Sequence, residues 1–337
     1  MTMNKSNAIL LASLLIGAGA ARADEWEGLQ LAPGVGLGVL VEVEAAYEQI
    51  GDEESTDASV ATFEVGLEAE PMEGVRGEAA LLWEEGDSDS LDVDAAFIEL
   101  GGTEALPLTV SAGRLYLPFG AFNGLLVSDP LTLELGETRE TAVALSGEWR
   151  GFTAWAGAFA GERDDAEDLE NAAAALGWTP VEGLTLGVSA LSDLGEGAGY
   201  VDDLNEILAG EGTADKAAGF SAFFLLERGA WSLAAEYLGA AEDLEWSDAE
   251  GETTSVRPQA WHVDAAYAFN DAWSAAVRYE GSKEFKADEM PEHQGGAAVF
   301  YQLNAFAVLG AEYLYGTFDN EESDDRHLAT LQLALEF

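Results

Sequence analysis

From Val35 onward, apolar side chains recur at every second position, in run after run down to the last residue. Val35, Leu37, Val39, Val41, Val43, Ala45 and Tyr47 fall on one face of an extended chain. Gly36, Gly38, Leu40, Glu42, Glu44, Ala46 and Glu48 fall on the other. That period is the pleat of a β-strand; a helix would bring a face round only every ~3.6 residues. Ala61, Phe63, Val65, Leu67 and Ala69 oppose Glu64, Glu68 and Glu70 in the same way. Val75 to Trp83 opposes Arg76 and Glu78, and Leu91, Val93, Ala95 and Phe97 oppose Asp92 and Asp94. The pattern returns at Trp231–Tyr237, Trp261–Phe269, Trp273–Tyr279 and Ala307–Tyr315.

The connections alternate as well. Long, mostly acidic ones lie near 51–57, 85–90, 119–140, 162–171, 193–216, 243–257, 282–293 and 319–326. Short ones lie near 71–74, 101–107, 150–151, 179–183, 228–230, 269–272 and 303–304. Together they join sixteen strands. An even count, with short turns at one end and long loops at the other, predicts an all-β fold: a single 16-stranded antiparallel transmembrane β-barrel. Trp and Tyr gather at strand ends on the apolar face, as in the girdles at membrane–water interfaces. A soluble β-sandwich gives no reason for that placement.

Composition supports the same division. The chain is 48% hydrophobic and carries 64 Asp+Glu against 14 Lys+Arg, a formal net charge of −50. Such a chain must keep its apolar residues and its carboxylates on separate faces. The charge excludes nucleic acid as a partner, because phosphate binding needs a basic surface. The absence of Cys excludes thiol catalysis, Cys-ligated metal and disulfides.

Lys5, the apolar stretch Ile9–Ala21 and Ala21-Arg22-Ala23 read as a secretory signal peptide over residues 1–23. A short periplasmic tail, 24–33, and the barrel, 34–337, follow. The expected location is the outer membrane of a Gram-negative cell, among its lipid and lipopolysaccharide. The last strand ends in Phe337, with Ala329, Leu331, Leu333 and Leu335 on the same face. A terminal aromatic of this kind is similar to the signal read by the barrel-assembly machinery.

The inner faces would carry Glu42, Glu44, Glu64, Glu68, Glu78, Asp92, Asp94, Glu148, Glu236, Asp264, Glu280 and Glu312, with Arg76, Arg150 and Arg278 as the few basic members. A lining of one sign concentrates counter-ions and predicts a cation-preferring or zwitterion-tolerant conduit. Adaptation of the whole surface to high salt would produce the same acidity.

The third long connection, Phe119 to Glu140, is apolar as well as long: Phe122, Leu125, Leu126, Val127, Leu131, Leu133 and Leu135 would be costly in water. It is expected to fold into the barrel and narrow it, although packing outside the mouth is the other solution. The constriction is assigned to Arg114, Tyr116, Phe119, Phe122, Asn123, Asp129, Glu134, Glu137 and Arg139. Arg114 falls on the lipid-facing register. Either a bulge at Gly113 turns it inward, or it snorkels at the rim; the bulge is the reading carried forward. Arg114 and Arg139 would then oppose the acidic wall and set up a transverse field.

His262, His293 and His327 are placed at the outer ends of strands, without the spacing of a triad or a metal cage. No catalytic residue, metal site or cofactor is assigned.

Gly113-Arg-Leu-Tyr-Leu-Pro-Phe-Gly120, followed by Ser128-Asp-Pro-Leu-Thr-Leu-Glu-Leu-Gly-Glu137, resembles the LbtU-type siderophore porin family. The resemblance covers about residues 113–140. It implies TonB-independent, passive uptake of a ferric siderophore or similar small solute. A general cation-selective diffusion porin is the alternative. A homotrimer is expected by analogy with general porins.

Overall fold

The computed structural model of the chain describes residues 29–86, 91–104, 106–163, 168–286, 289–318 and 325–337. The expected signal peptide lies outside the described residues. In chain order the strands are β1 (Leu29–Ala32), β2 (Val35–Ile50), β3 (Glu53–Met72), β4 (Val75–Trp83), β5 (Asp92–Gly101), β6 (Leu108–Tyr116), β7 (Arg139–Trp149), β8 (Phe152–Ala160), β9 (Asn171–Val181) and β10 (Leu184–Leu191). They continue as β11 (Thr213–Ala214), β12 (Gly219–Arg228), β13 (Trp231–Ala240), β14 (Leu244–Ser247), β15 (Thr253–Val256), β16 (Gln259–Ala268), β17 (Trp273–Lys283), β18 (His293–Asn304), β19 (Ala307–Thr317) and β20 (Arg326–Glu336). Two helices, α1 (Leu131–Gly136) and α2 (Val201–Ala209), sit in long connections.

Sixteen of these strands form the barrel wall: β2 to β10, β12, β13 and β16 to β20. Each pairs antiparallel with the next, and β20 returns to β2 from Leu40↔Glu336 to Ile50↔Arg326. That ladder closes the sheet and removes its edges, which a membrane-spanning sheet requires. β1 pairs with β2 beyond the end of β20, at Leu29↔Leu37 and Gln30↔Gly36. Part of the expected tail is therefore strand. The terminal Phe337 exchanges both backbone hydrogen bonds with Val39.

The alternation read from the sequence becomes two surfaces. Val277 and Leu331 lie on the outer face, whereas Arg278, Glu280 and Thr330 are buried inside. At the short-turn end the outer face carries Trp149, Phe152, Trp178, Trp231, Phe269 and Trp273, all exposed. Their rings contact one another: Phe152–Trp178 at 5.7 Å and Trp273–Tyr301 at 4.6 Å between centroids. Tyr47, Tyr279, Tyr313 and Tyr315 mark the long-loop end. Arg150, expected in the lumen, sits in the β7–β8 turn with its guanidinium over the Trp149 ring, 4.8 Å from the centroid.

Three local expectations are corrected. The connection 51–57 is a two-residue turn, Gly51-Asp52, at the tip of a hairpin whose ladder runs up to Ile50↔Glu53. The polar residues that read as loop are paired strand projecting past the apolar band.

In β5 the register shifts opposite Ala80 and Leu81, so Asp94 is an extra residue. Asp94 and Ala95 are both buried, and beyond this bulge Phe97 faces inward while Ile98 faces out. The period-two reading had Phe97 on the outer face.

At Gly113 the opposite holds. Both flanking ladders run through without a shift, Phe97↔Gly113 and Gly113↔Ala142. The expected bulge does not form. Gly113 has φ +139, and a Cβ there would lie 2.2 Å from the Ala96 carbonyl oxygen. The glycine is needed for close backbone approach. Arg114 stays in register with Ala96 and Thr141, the outer face, and pairs with Glu162 at 3.1 Å.

Val277→Arg places a charge midway along an outward face and is expected to destabilise the barrel by about 2–4 kcal/mol. Reversible urea unfolding in lipid vesicles measures it. An unchanged midpoint would mean that the faces are assigned the wrong way round.

Candidate channel constriction

The segment between β6 and β7 turns into the barrel. Its apolar side chains are covered by two inner clusters. Leu117, Phe119, Leu131 and Leu135 join Trp155, Phe159, Leu191 and Leu238 in one; Leu125, Leu126 and Val127 pack with Ala276, Ala298, Phe300 and Leu314 in the other. Covering the side chains leaves a second demand. An irregular backbone taken out of water must find partners for its N–H groups.

Carboxylates on the wall supply them. Glu236 accepts from the amides of Ala121 and Phe122, each at 2.8 Å. Asp264 accepts from Leu125 at 2.8 Å. Glu312 accepts from Val127 at 2.7 Å and from the Ser128 amide and hydroxyl. Glu280 accepts from Leu131, at the start of α1, at 2.9 Å. Hydrogen bonds to an ionised acceptor contribute about 1.5–3 kcal/mol each, more than neutral ones.

Arg278 completes the attachment. Fully buried, it donates to both oxygens of Asp264 and, at 2.7 Å, to the Ser128 carbonyl. The loop turns sharply to meet these groups. Gly120 has φ +91 and Phe122 φ +50, so the amides of Ala121 and Phe122 point together at one carboxylate. Gly120 and Ser128 also use Ser189 and Glu312 through side-chain oxygens on the same inner face.

Five of the expected selectivity residues are thus buried beneath the loop rather than facing an open lumen. Glu236, Asp264, Glu280 and Glu312 hold backbone, and Arg278 neutralises part of their charge. The sequence pattern placed them correctly on the inner face but had no means of showing that the loop would cover them. Phe119 is likewise fully buried, and Phe122 packs at the edge of the same cluster. Glu148 is exposed near the short-turn mouth.

The other side of the loop is wet. Asp129 and Glu134 are exposed inside the barrel and Glu137 is half-buried. Asp129 lies within electrostatic reach of Glu42 and Glu44 on β2, and Glu137 within reach of Asp94 on β5. Burial, with Asp129 and Asp94 nearby, pushes the Glu137 carboxyl up to about 8. The facing wall also carries Glu64, Glu68 and Glu78.

Arg76 on this wall and Arg139 at the start of β7 are both held by its carboxylates. Arg76 pairs with Glu68 at 2.7 Å, Glu78 at 3.5 Å and Glu99 at 3.8 Å. Arg139 pairs with Asp94 at 2.6 Å and Asp92 at 3.6 Å, and the Tyr116 hydroxyl donates to the same Asp94. With Arg114 outside, the expected transverse field is not formed. Carboxylates line both sides of the remaining passage.

The sequence reading missed Glu99, Ser189 and Ser221 on the inner face and Thr132 on α1, whose roles appear only when distant segments meet. It also misplaced His262, which is buried under the loop with Nδ1 3.0 Å from the Thr132 hydroxyl. His293 and His327 are on the outer belt, beside Tyr279 and Tyr313. Above the barrel, the connections holding α2, β14 and Phe285 meet through Tyr200, whose ring lies 6.1 Å from Trp246 and 5.8 Å from Phe285. A buried Arg163–Asp193 pair, 3.4 Å, ties two of the long connections together.

A closed sixteen-stranded barrel narrowed by an inward loop is the porin fold, and solved porins match it along almost their whole length. The outer membrane channel DcaP of Acinetobacter baumannii is 14% identical with a TM-score of 0.65, over 92% of this chain and 99% of that one. An anion-selective porin from Comamonas acidovorans, 11% identical, gives 0.64 over 90% of this chain and 99% of that one. Salmonella typhi OmpF, solved with daunomycin, is 13% identical with a TM-score of 0.64, over 90% of this chain and 97% of that one.

No protein-family model matches the chain. Among curated proteins it is similar to an UPF0422 protein of Legionella pneumophila (strain Lens), 24% identical over 275 residues, 71% of this chain and 50% of the relative. An UPF0422 protein of Coxiella burnetii is 24% identical over 262 residues, 73% of this chain and 55% of the relative. The chain spans about half the length of the curated relatives it matches.

Glu312→Gln removes the charge that holds Val127 and Ser128. It is expected to loosen the loop tip, raising open-channel noise and mean conductance in single-channel recordings. The barrel should still run as a heat-modifiable folded band, because no ladder is broken. A quiet, unchanged current would mean that Glu312 does not hold the loop.

Proposed function

We propose that the chain is a passive outer-membrane diffusion channel that prefers cations. The observation that carries this reading is the passage between the loop and β2–β5. Asp129 and Glu137 face Glu42, Glu44, Glu64 and Asp94, while Arg76 and Arg139 are each outnumbered by the carboxylates that bind them. A narrow, water-filled gap with one sign of charge on both sides raises the local concentration of small cations and repels anions.

A second reading, uptake of ferric siderophores, rests on the segment 113–140, which carries the family resemblance and is also the constriction loop. Its Ser128, Thr132 and Leu135 serve attachment and packing. Asp129, Glu134 and Glu137 remain as the groups a solute would meet. Their charge favours neutral or cationic iron complexes over anionic ones.

A homotrimer is part of the proposal. The short-turn aromatic belt is built from strands β7 to β18, and the outer faces of β5 and β6 offer Ile98, Leu100, Leu108 and Val110 in its place. That aliphatic face suits contact with another copy, and a native mass of three chains in mild detergent is expected.

Reversal potentials across a KCl gradient in a planar bilayer test the main reading. The wild type should favour K⁺, and Asp129→Asn with Glu137→Gln should reduce that preference. Glu137 gains its charge as pH rises through about 8, so selectivity should increase between pH 7 and pH 9, and by less in Glu137→Gln. Anion preference in the wild type would sink the proposal. Saturable block by one ferric siderophore would favour the second reading.

A further inference from the structure

A helix ends in carbonyls that have no partner within it. At the end of α1 two of these are satisfied from beyond the helix. The Thr138 hydroxyl donates to the Gly136 carbonyl at 3.0 Å, and the Ala198 amide donates to the Glu137 carbonyl at 2.8 Å. Ala198 belongs to the long connection between β10 and β12, so this contact reaches the constriction from the long-loop side.

The contact is made by bare backbone. Gly197 and Gly199 flank Ala198. A Cβ on Gly197 would lie 2.9 Å from the Leu135 carbonyl oxygen, and one on Gly199 would lie 2.9 Å from that of Glu134 and 2.8 Å from the Phe285 ring. Only glycine lets the connection rest this closely on the last turn of α1. The Ala198 methyl between them is exposed.

Both ends of the segment are fixed. At the first, Asp193 accepts from the amides of Gly195 at 3.0 Å and Ala217 at 3.2 Å, beside its pairing with Arg163. Glu196 accepts from the amides of Glu162 and Arg163 at 2.9 and 3.2 Å. At the other end the Tyr200 ring packs on Trp246 and Phe285, and its hydroxyl donates to the Glu284 carbonyl at 3.2 Å. Lys286 pairs with Asp203 of α2 at 2.9 Å.

From this arrangement we propose that Asp193–Tyr200 is a strap across α1, and that Ala198 is a positioning residue that sets where Glu137 stands in the passage. The wall carboxylates take loop amides from Ala121 to Leu131. The strap takes over at Glu137, where the loop turns back towards β7. The constriction is thus held from two sides, and its second hold is built from the connections above the barrel. That Glu137 contributes to selectivity rests on the cation-channel reading; the strap itself does not.

Ala198→Pro removes the one donor. Gly197 already has φ −77 and ψ 153, the extended conformation that a following proline demands, and the exposed side chain leaves room for the ring. Amide hydrogen exchange read by mass spectrometry, on the whole barrel in lipid nanodiscs, gives the test. Protection over residues 133–137 should fall roughly three- to tenfold, the range of one hydrogen bond, while 121–127 stays protected by the wall carboxylates. Unchanged protection over 133–137, or equal losses in both segments, would overturn the strap. If Ala198→Pro does not assemble, Tyr200→Leu releases the far end instead. It should expose the same five residues, and no change there counts against the proposal. Reversal potentials of the same variant separate the two readings. Reduced cation preference supports Ala198 acting through Glu137. Lost protection with an unmoved reversal potential keeps the strap and overturns the role of Glu137 in selectivity.

Discussion

An irregular loop cannot be buried unless its backbone N–H groups are satisfied, and in this barrel wall carboxylates satisfy them. Glu236, Asp264, Glu280 and Glu312 come from β13, β16, β17 and β19, so the attachment runs along one side of the interior. Each is an inner-face residue of a strand whose next residue meets lipid. The same pleat that makes the barrel soluble in the membrane delivers the acceptors to the loop. Without them the apolar contacts of Leu126 and Leu135 would not suffice, because each unpartnered buried amide costs about 1–3 kcal/mol.

The position of that attachment decides where the passage lies. With the loop fastened to β13–β19, the gap is left against β2–β5. There the carboxylates are not consumed by backbone. They hold Arg76 and Arg139 and still exceed them in number. One residue type thus does two jobs on opposite walls. On the buried wall it fixes geometry, and on the wet wall it sets the field.

Much of this was legible from residue order alone. The strand count and most of the inward and outward faces follow from period two, which tolerates little error because a one-residue slip inverts every face; the boundary at Glu53 did not, because the polar tip of β3 reads as loop. The inward course of the loop followed from Phe122 to Leu135 being too apolar for water. What was not legible depended on meetings across the barrel. Glu236 and Ala121 are far apart in the chain, and no local pattern distinguishes an anchoring carboxylate from one lining water. The bulge at Asp94 changed the face of Phe97 without a glycine to announce it, whereas Gly113 suggested a bulge and served close packing instead. His262 looked like a rim residue because its strand ends nearby in sequence; the loop that buries it comes from more than a hundred positions away.

The acidity that admitted two explanations now divides by environment. Carboxylates under the loop are out of reach of mobile ions, so salt does not weaken their bonds. Those in the passage are partly shielded by low-dielectric walls and lose some of their field. Those on exposed strand tips and connections, such as Glu53 and Glu54 at the start of β3 and Glu250 and Glu252 between β14 and β15, are largely screened beyond about 8–10 Å at ordinary ionic strength. A saline habitat would account for the third group, and it has no bearing on the first. The constriction would therefore keep its shape in high salt while the proposed preference for cations declined, because the two rest on carboxylates that see different amounts of water.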